Sequence, residues 1–185
     1  MVSERAADER KQAAERAADE RKQAVEHAAG ECNAFGKPAF SWPTRVYWED
    51  TDAGGVVYHA QYLAFLERAR TEWMRAQGYG QECLRLEYGL VFAVRAMTLD
   101  FLKPARLDDA LAVSVSLREC RRASAVFAQA IHRGGELLLT ASVRVAALDA
   151  GQFRPRAIPS PLYDQLKALE LAVQSPPRAG MENQA

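Results

Sequence analysis

One stretch of the sequence concentrates residue types that could carry out acid–base chemistry. Residues 49–59 read EDTDAGGVVYH, which places three carboxylates, two adjacent glycines and a histidine next to one another. A helical pattern of apolar side chains begins directly afterwards, at residue 60. The first turn of a helix has N–H groups without partners and the positive end of the helix dipole, so it stabilises developing negative charge. A carboxylate beside such a helix start could attack an activated acyl group or direct water onto it.

Within this stretch, Asp52 is the candidate catalytic carboxylate. The helix dipole and nearby N–H donors would favour its charged form, so we expect it to be ionised and to face the start of the helix. The alternative is that Asp52 only caps the turn or the helix. Gly54 and Gly55 would let the backbone approach a ligand closely. We expect Glu49 and Asp50 to have structural roles, in hydrogen bonding of the turn or in solvation.

The same stretch resembles a metal site only in part. Residues 50–54 begin like a calcium-binding loop, but Gly54 and Gln61 occupy the fifth and twelfth positions, and both departures remove ligands. The Asp-x-Asp pattern also occurs in phosphoaspartate enzymes, but the βαβ alternation that these enzymes need does not follow. The Gly-x-Ser-x-Gly, Walker and His-Glu-x-x-His motifs do not occur. The sequence therefore predicts no metal and no cofactor.

The composition limits the kinds of partner that the protein can bind and the cellular compartment in which we expect it. The chain has 185 residues, a formal net charge of +0 and a pI of about 6.8, so it has no electrostatic footprint for nucleic acid or an anionic membrane. Its apolar runs are shorter than the roughly 18 residues that a membrane span requires. The 3 cysteines are widely spaced and odd in number, which indicates a reducing compartment. The start of the chain is charged and lacks the apolar region of a signal peptide, so we predict a cytoplasmic protein.

A long amphipathic helix must position the acidic stretch. The pattern predicts a helix over residues 60–77, ended by Gly78 and Gly80. One face of this helix is apolar and consists of Tyr62, Leu66, Ala69 and Trp73. The opposite face, predicted to be solvated, carries Glu67, Arg68, Arg70, Thr71 and Arg75.

Strand patterns precede and follow that helix. A short strand is predicted over residues 44–48 and longer strands over 90–101, 111–117, 124–132 and 136–148, with a hairpin at Gly134 and Gly135. Short connections make the later strands antiparallel neighbours. The fold class is therefore α+β, with one long helix packed on an antiparallel sheet. Because one helix covers a single face of the sheet, we expect a homo-oligomer to bury the other face or an edge strand.

The two termini differ from this domain. Residues 4–25 repeat an 11-residue alanine-rich charged unit, so residues 1–31 are predicted to form a helical extension and residues 32–41 a linker. The extension could be a solvated helix, which we favour because its apolar stripe is narrow, or an oligomerising arm. The folded domain is predicted over residues 42–170, with an irregular strap over 155–161 and a short helix over 162–169. Residues 171–185 are predicted to be a disordered tail.

The segment RVYWEDTDAGGVVYHAQYLAFLERARTEWMR, residues 45–75, resembles the signature of the 4-hydroxybenzoyl-CoA thioesterase family. The likeness continues through RAMT (95–98), PARLDD (104–109) and PRAIP (155–159), and so covers residues 42–167. It is strongest to the YbgC branch, whose members are acyl-CoA thioesterases associated with the Tol-Pal system. The resemblance implies the hotdog fold, in which a curved antiparallel sheet of about five strands wraps one central helix.

The resemblance also implies roles for residues in the acidic stretch. The second Asp of the family's Asp-Thr-Asp element falls on Asp52, which would act as nucleophile or as general base on water. The main-chain N–H at the helix start falls on His59 and would polarise the thioester carbonyl. Tyr58 would line the acyl pocket or simply pack, and Gly55 would lie against the substrate. The expected substrate is acyl-CoA with a short acyl chain, bound at the subunit interface of a homodimer or homotetramer.

Other residues and other functions remain open. Related enzymes place a catalytic carboxylate on the central helix, but Glu67 is expected to be a solvated side chain because Asp52 fills that role. We interpret His132 as an ordinary strand residue. Two arginine pairs, 121–122 and 154–156, could grip CoA phosphates, although a solvated basic turn is the simpler interpretation. An acyl-CoA-binding or acyl-carrier-binding module without catalysis is the alternative function; a hydroxyacyl dehydratase would need a His and acid pattern that is not found.

Overall fold

The structure is a computed structural model that describes residues 40–174. The predicted helical extension, almost all of the predicted linker and residues 175–185 lie outside the described residues. Three helices and five strands are found in the described range, together with a 3-10 turn at Trp48–Asp50. They follow one another as β1 (Phe40–Arg45), α1 (Gln61–Ala76), α2 (Gln81–Tyr88), β2 (Leu90–Phe101), β3 (Ala110–Arg121), β4 (Ser124–Arg133), β5 (Glu136–Asp149) and α3 (Ser160–Gln174).

The five strands form one antiparallel sheet in the order β1-β3-β4-β5-β2. Strands β3, β4 and β5 follow one another directly, because two-residue turns at Arg122–Ala123 and at Gly134–Gly135 reverse the chain. Strands β1 and β2 are the edges of the described sheet. The α+β class and the antiparallel sheet predicted from the sequence are confirmed.

The core lies between α1 and one face of this sheet. Alternate residues of β3 point into it, among them Val113 and Leu117, and their partners on β4 in the register are Ile131 and Phe127. Helix α1 buries its apolar face there, and Trp73 packs edge-on against Phe127 with ring centroids 5.3 Å apart. The alternate residues of the strands and the apolar face of the helix therefore pack against each other in a single core.

The first strand lies earlier than the sequence pattern predicted. We expected it over residues 44–48, whereas β1 occupies Phe40–Arg45 and Trp48 begins the 3-10 turn. Pro43 is in the middle of β1, where it pairs in register with Ala112. A proline is tolerated there because β1 is an edge strand and one side of it needs no donor.

Two helical segments differ from the prediction. Helix α2 was not predicted, because Gly78 and Gly80 were interpreted only as the end of α1; it is two turns long, and of its residues only Leu84 is buried. Helix α3 is longer than the expected 162–169 and runs over Ser160–Gln174, so the first four residues of the predicted tail are helical. Weak periodicity explains why α2 was missed, since two turns give too few repeats of the apolar spacing.

The predicted solvated face of α1 is wrong at one position. Arg70 is buried, with only 8% of its surface exposed. Its side chain extends to Gln129 on β4, which is itself 3% exposed. A polar residue on the inner face of the sheet therefore accommodates a helix residue that the helical pattern alone assigned to solvent.

Candidate active site

The acidic stretch folds into a small hairpin between the 3-10 turn and α1. Thr51 and Val57 form an antiparallel bridge, and the N–H of Asp52 donates to the carbonyl of Val56 at 3.0 Å. The N–H of Gly55 closes the turn by donating to the carbonyl of Asp52 at 3.0 Å. Gly55 has a φ of +73°, a left-handed conformation that glycine adopts without strain. Asp52 is therefore held at the tip of an ordered turn.

The side chain of Asp52 is exposed and bonded within its own turn. Its Oδ1 accepts a hydrogen bond from the N–H of Gly54 at 2.8 Å. A Cβ atom at position 54 would lie 3.0 Å from that same oxygen, so a glycine there leaves room for the carboxylate. The described chain contains no hydrogen bond between Asp52 and the start of α1, so the expected approach of Asp52 to the helix is not seen. The contact that is seen is the bond from the N–H of Gly54, by which Asp52 caps its own turn.

Asp50, not Asp52, is the acid that contacts the start of α1. It is 3% exposed, its Oδ2 accepts from the N–H of Tyr47 at 2.8 Å, and its Oδ1 accepts from Nε2 of Gln61 at 3.2 Å. Its carbonyl accepts from the N–H of Tyr58 at 2.8 Å. The structural role expected for Asp50 is confirmed. Gln61 was missed, and its only signal in the sequence is an amide side chain at the first helical residue.

A free main-chain donor lies just before the start of α1. Ala60 is the N-cap residue and provides no side-chain hydrogen bond to the helix. Among the described residues, none accepts a hydrogen bond from the main-chain N–H of His59. The rings of Tyr58 and His59 are in contact, with centroids 4.3 Å apart, and 47% of Tyr58 is exposed. This end of the helix can therefore donate to an oxygen that carries negative charge.

The loop around Ala105 fixes the hairpin and the helix to each other. The N–H of Ala105 donates to the phenol oxygen of Tyr62 at 2.8 Å, and its carbonyl accepts from the N–H of Val57 at 2.9 Å. Both Ala105 and Tyr62 are buried, and burial raises the pKa of the Tyr62 phenol above its usual value. The hairpin and the first turn of α1 thus form one rigid unit, since both bond to the same residue.

Further along α1, a groove opens between the helix, α3 and the sheet. Its empty volume is about 560 Å³ including the part open to solvent, and Glu67, Arg70 and Thr71 are among the residues that line it. Glu67 is exposed and accepts a hydrogen bond from the Thr71 hydroxyl at 2.8 Å, which agrees with the solvated side chain expected for it. At a rise of about 1.5 Å per residue, Arg70 lies about 14 Å along the axis from the start of α1.

Three of the four arginines considered for CoA phosphates are engaged in other contacts. Arg121 bonds to Glu119, and Arg156 bonds to Asp149 and to the carbonyl of Gly89. The guanidinium of Arg122 lies over the ring of Tyr163, 5.1 Å from its centroid.

Neither a metal centre nor a membrane segment is found in the described range. Between residues 40 and 174, no three His, Cys, Asp or Glu side chains come together as metal ligands. Within the same residues, no helix has the length and apolar composition needed to cross a bilayer. His132 lies in β4, as expected for a strand residue.

Comparison with known proteins identifies the class. Residues 46–166 match the family model of the Thioesterase-like superfamily. A solved structure described as a probable thioesterase from Bartonella henselae is 37% identical, with a TM-score of 0.62 over 64% of this chain and 98% of that one. The chain therefore belongs to the thioesterase-like superfamily and has the hotdog fold.

Two curated relatives narrow the assignment within that class. The acyl-CoA thioesterase YbgC of Haemophilus influenzae is 47% identical over 120 residues, which are 65% of this chain and 88% of the relative. The acyl-CoA thioester hydrolase YbgC of Escherichia coli is 46% identical over 129 residues, 69% of this chain and 96% of the relative. The chain is thus a thioesterase of the family that contains the YbgC acyl-CoA thioesterases, as the sequence motifs predicted.

Proposed function

We propose that the protein hydrolyses acyl-CoA thioesters with short acyl chains, using Asp52 as the catalytic carboxylate and the start of α1 as the oxyanion site. The observation that carries this proposal is that a carboxylate and a free main-chain N–H belong to one rigid unit. Asp52 is at the tip of the hairpin, His59 is at the start of α1, and both segments are fixed by Ala105. The activity of the YbgC relatives supports the choice of substrate.

The proposed reaction has two steps at the thioester carbonyl. The N–H of His59 donates to the carbonyl oxygen, and the carbonyl carbon is attacked either by water that gives a proton to Asp52 or by Asp52 itself. Negative charge builds on the oxygen and is stabilised by the N–H and the helix dipole. The C–S bond then breaks and the CoA thiolate leaves. In the water route the thiolate takes up the proton held by Asp52, which regenerates the carboxylate; in the route with Asp52 as nucleophile it takes up a proton from solvent. By the second route, water hydrolyses the resulting anhydride and regenerates Asp52.

A second copy of the chain would complete this site. Strand β2 is 12 residues long and lies at the edge of the sheet, and Val94 and Phe101 on its inner face are each 51% exposed. An unpaired edge of this length readily adds another strand. We propose a homodimer or homotetramer in which β2 is at the interface and covers the open side of the site. Sedimentation of the wild type and of Val94→Lys tests this, because the charge should shift the assembly toward monomer.

The test of the catalytic assignment is a comparison of Asp52→Asn with the wild type. Asparagine keeps the volume and retains an oxygen for the N–H of Gly54, so the turn should be preserved. The loss of the negative charge should lower kcat for acyl-CoA hydrolysis by about 10²–10⁴-fold. Thiol release from a chain-length panel of acyl-CoA esters measures this, and Asp164→Asn, an exposed acid on α3, is the control.

The outcomes separate the candidate functions. Full turnover by Asp52→Asn would contradict the catalytic role of this carboxylate. Saturable binding of acyl-CoA by the wild type without release of thiol would instead favour a binding module. The observation that favours this alternative is that Asp52 is exposed and bonded within its own turn. His59→Ala should keep most of the activity, because the proposal uses its main-chain N–H and not its imidazole. The cytoplasmic location and the link to the Tol-Pal system stay predictions.

A further inference from the structure

Arg70 has a fixed position that its role in packing does not explain. Its Nη1 donates to Oε1 of Gln129 at 2.7 Å, and Nε2 of Gln129 donates to the carbonyl of Leu66 at 3.0 Å. The second bond fixes the orientation of the amide, so that its oxygen faces the guanidinium. A buried arginine is thus held by a neutral acceptor that is itself held in place.

The charge of Arg70 has no carboxylate partner in the described range. The salt bridges found among these residues do not include it, and the acid one turn before it, Glu67, is exposed and bonded to Thr71. Burial lowers the pKa of the guanidinium, and Glu67 partly opposes this shift. A largely buried charge whose direct partner is neutral is costly, since that partner replaces only part of its lost hydration. An anion bound beside Arg70 would therefore be stabilised by this charge.

The open side of the guanidinium faces the groove beside α1. Every buried side-chain nitrogen and oxygen in the described range has a partner, and Nε and Nη2 of Arg70 donate no hydrogen bond there. These two nitrogens are therefore not fully buried, and Arg70 lines the groove. The walls around them are apolar and are formed by Met74, Phe92, Phe127, Val145 and Leu166.

We propose that the groove binds the acyl group of the substrate and that Arg70 pairs with a carboxylate at the far end of that group. The inference rests on the proposed function and extends it, because it assigns the substrate class as acyl-CoA esters of dicarboxylic acids. Apolar walls suit the methylene chain, and two free N–H groups on one guanidinium suit a carboxylate. Glu67 opposes an anion only weakly, because it is exposed and screened whereas Arg70 lies in a low dielectric.

Matched pairs of esters test this selectivity. Hexanoyl-CoA is compared with adipoyl-CoA, and dodecanoyl-CoA with dodecanedioyl-CoA, so that each pair differs only in the terminal carboxylate. The wild type should prefer the carboxylated member of at least one pair by 10-fold or more in kcat/KM. A preference in the longer pair indicates that Arg70 and the helix start that binds the carbonyl belong to the same chain, because they are about 14 Å apart along α1. A preference in the shorter pair, whose acyl chain cannot span that distance, indicates that the second copy supplies Arg70.

Three variants make the test specific. Arg70→Met should abolish the preference, because it removes the cation that pairs with the terminal carboxylate. Gln129→Glu should also abolish it while keeping the arginine, because it supplies an internal carboxylate where the neutral oxygen lies 2.7 Å from Nη1. Arg68→Met is the matched control, since it removes an exposed cation from the same helix. It should keep the preference.

The results distinguish this inference from the proposed function. Equal kcat/KM for both members of both pairs in the wild type overturns it, as does a preference that survives in Arg70→Met or disappears in Arg68→Met. If no ester is hydrolysed, the proposed function fails, and equilibrium binding of the same four esters decides the inference. Tighter binding of a carboxylated ester that depends on Arg70 supports it, and equal affinities refute it.

Discussion

Replacing Asp50 by asparagine should loosen the unit that holds the candidate site. The Asp50 carboxylate is buried and accepts two hydrogen bonds, from the N–H of Tyr47 at 2.8 Å and from Nε2 of Gln61 at 3.2 Å. Asparagine offers one oxygen and one NH₂ group at these positions. One of the two donors would therefore face another donor, and the longer bond to Gln61 is the one expected to break.

The magnitude follows from the bond that is lost. A hydrogen bond to a charged group contributes about 1.5–3 kcal/mol, and part of this is offset because asparagine no longer buries a charge. We expect a decrease of about 1–3 kcal/mol in the free energy of unfolding and a decrease of roughly 3–10 °C in Tm. Activity should also fall, by up to about 10²-fold, since small displacements of catalytic groups have effects of this size.

A double-mutant cycle with Gln61→Ala is the appropriate measurement. Thermal and urea unfolding of the wild type, Asp50→Asn, Gln61→Ala and the double variant give the coupling energy between the two side chains. Asp50→Asn already breaks the bond that the two side chains share. The decrease in the free energy of unfolding of the double variant should therefore be about 1–2 kcal/mol smaller than the sum of the decreases in the two single variants. Simple additivity would show that the two side chains do not interact and would refute this account of the loop.

Three other substitutions or treatments test separate contacts. Tyr62→Phe leaves the buried N–H of Ala105 without its acceptor and should reduce the free energy of unfolding by about 1–3 kcal/mol, measured by urea unfolding. Gly89→Ala should be destabilising by about 1–2 kcal/mol in the same assay, because φ is +59° and a Cβ would lie 2.8 Å from Nη1 of Arg156. Burial raises the pKa of the Cys120 thiol to about 11, so iodoacetamide should not modify it at pH 8 in the folded protein, as peptide mapping would show. The unfolded chain loses this proton near pH 9 and the folded chain only near 11, so the contribution of Cys120 to stability should decline over that interval.

Much of the fold could be predicted because its periodicities are long and unbroken. The bounds of β2 agree with the predicted strand, and those of α1 agree to within a residue at each end. Helix α2 could not be predicted in this way, since only Leu84 marks its buried side. The position of β1 was misjudged because an edge strand is specified by its partner β3 and not by its own pattern.

The site was predictable only in its residue types. The motif indicated Asp52 and His59, but their contacts depend on residues far away in the sequence. Ala105 is one of these, and its role depends on a loop that follows β2. The burial of Arg70 depends on Gln129, which is 59 residues away, and no helical pattern contains that information.

The order of strands in the sheet has a consequence for biosynthesis. Strand β2 ends at Phe101, but β5, its partner in the described sheet, is complete only at Asp149, about fifty residues later. At about 5–20 residues per second, ribosomes need roughly 2–10 s to make that interval. β2 therefore precedes the strand with which it pairs by this interval. We expect the nascent chain to be most exposed to aggregation, and to capture by chaperones, after β2 has emerged from the ribosome and before β5 has followed it.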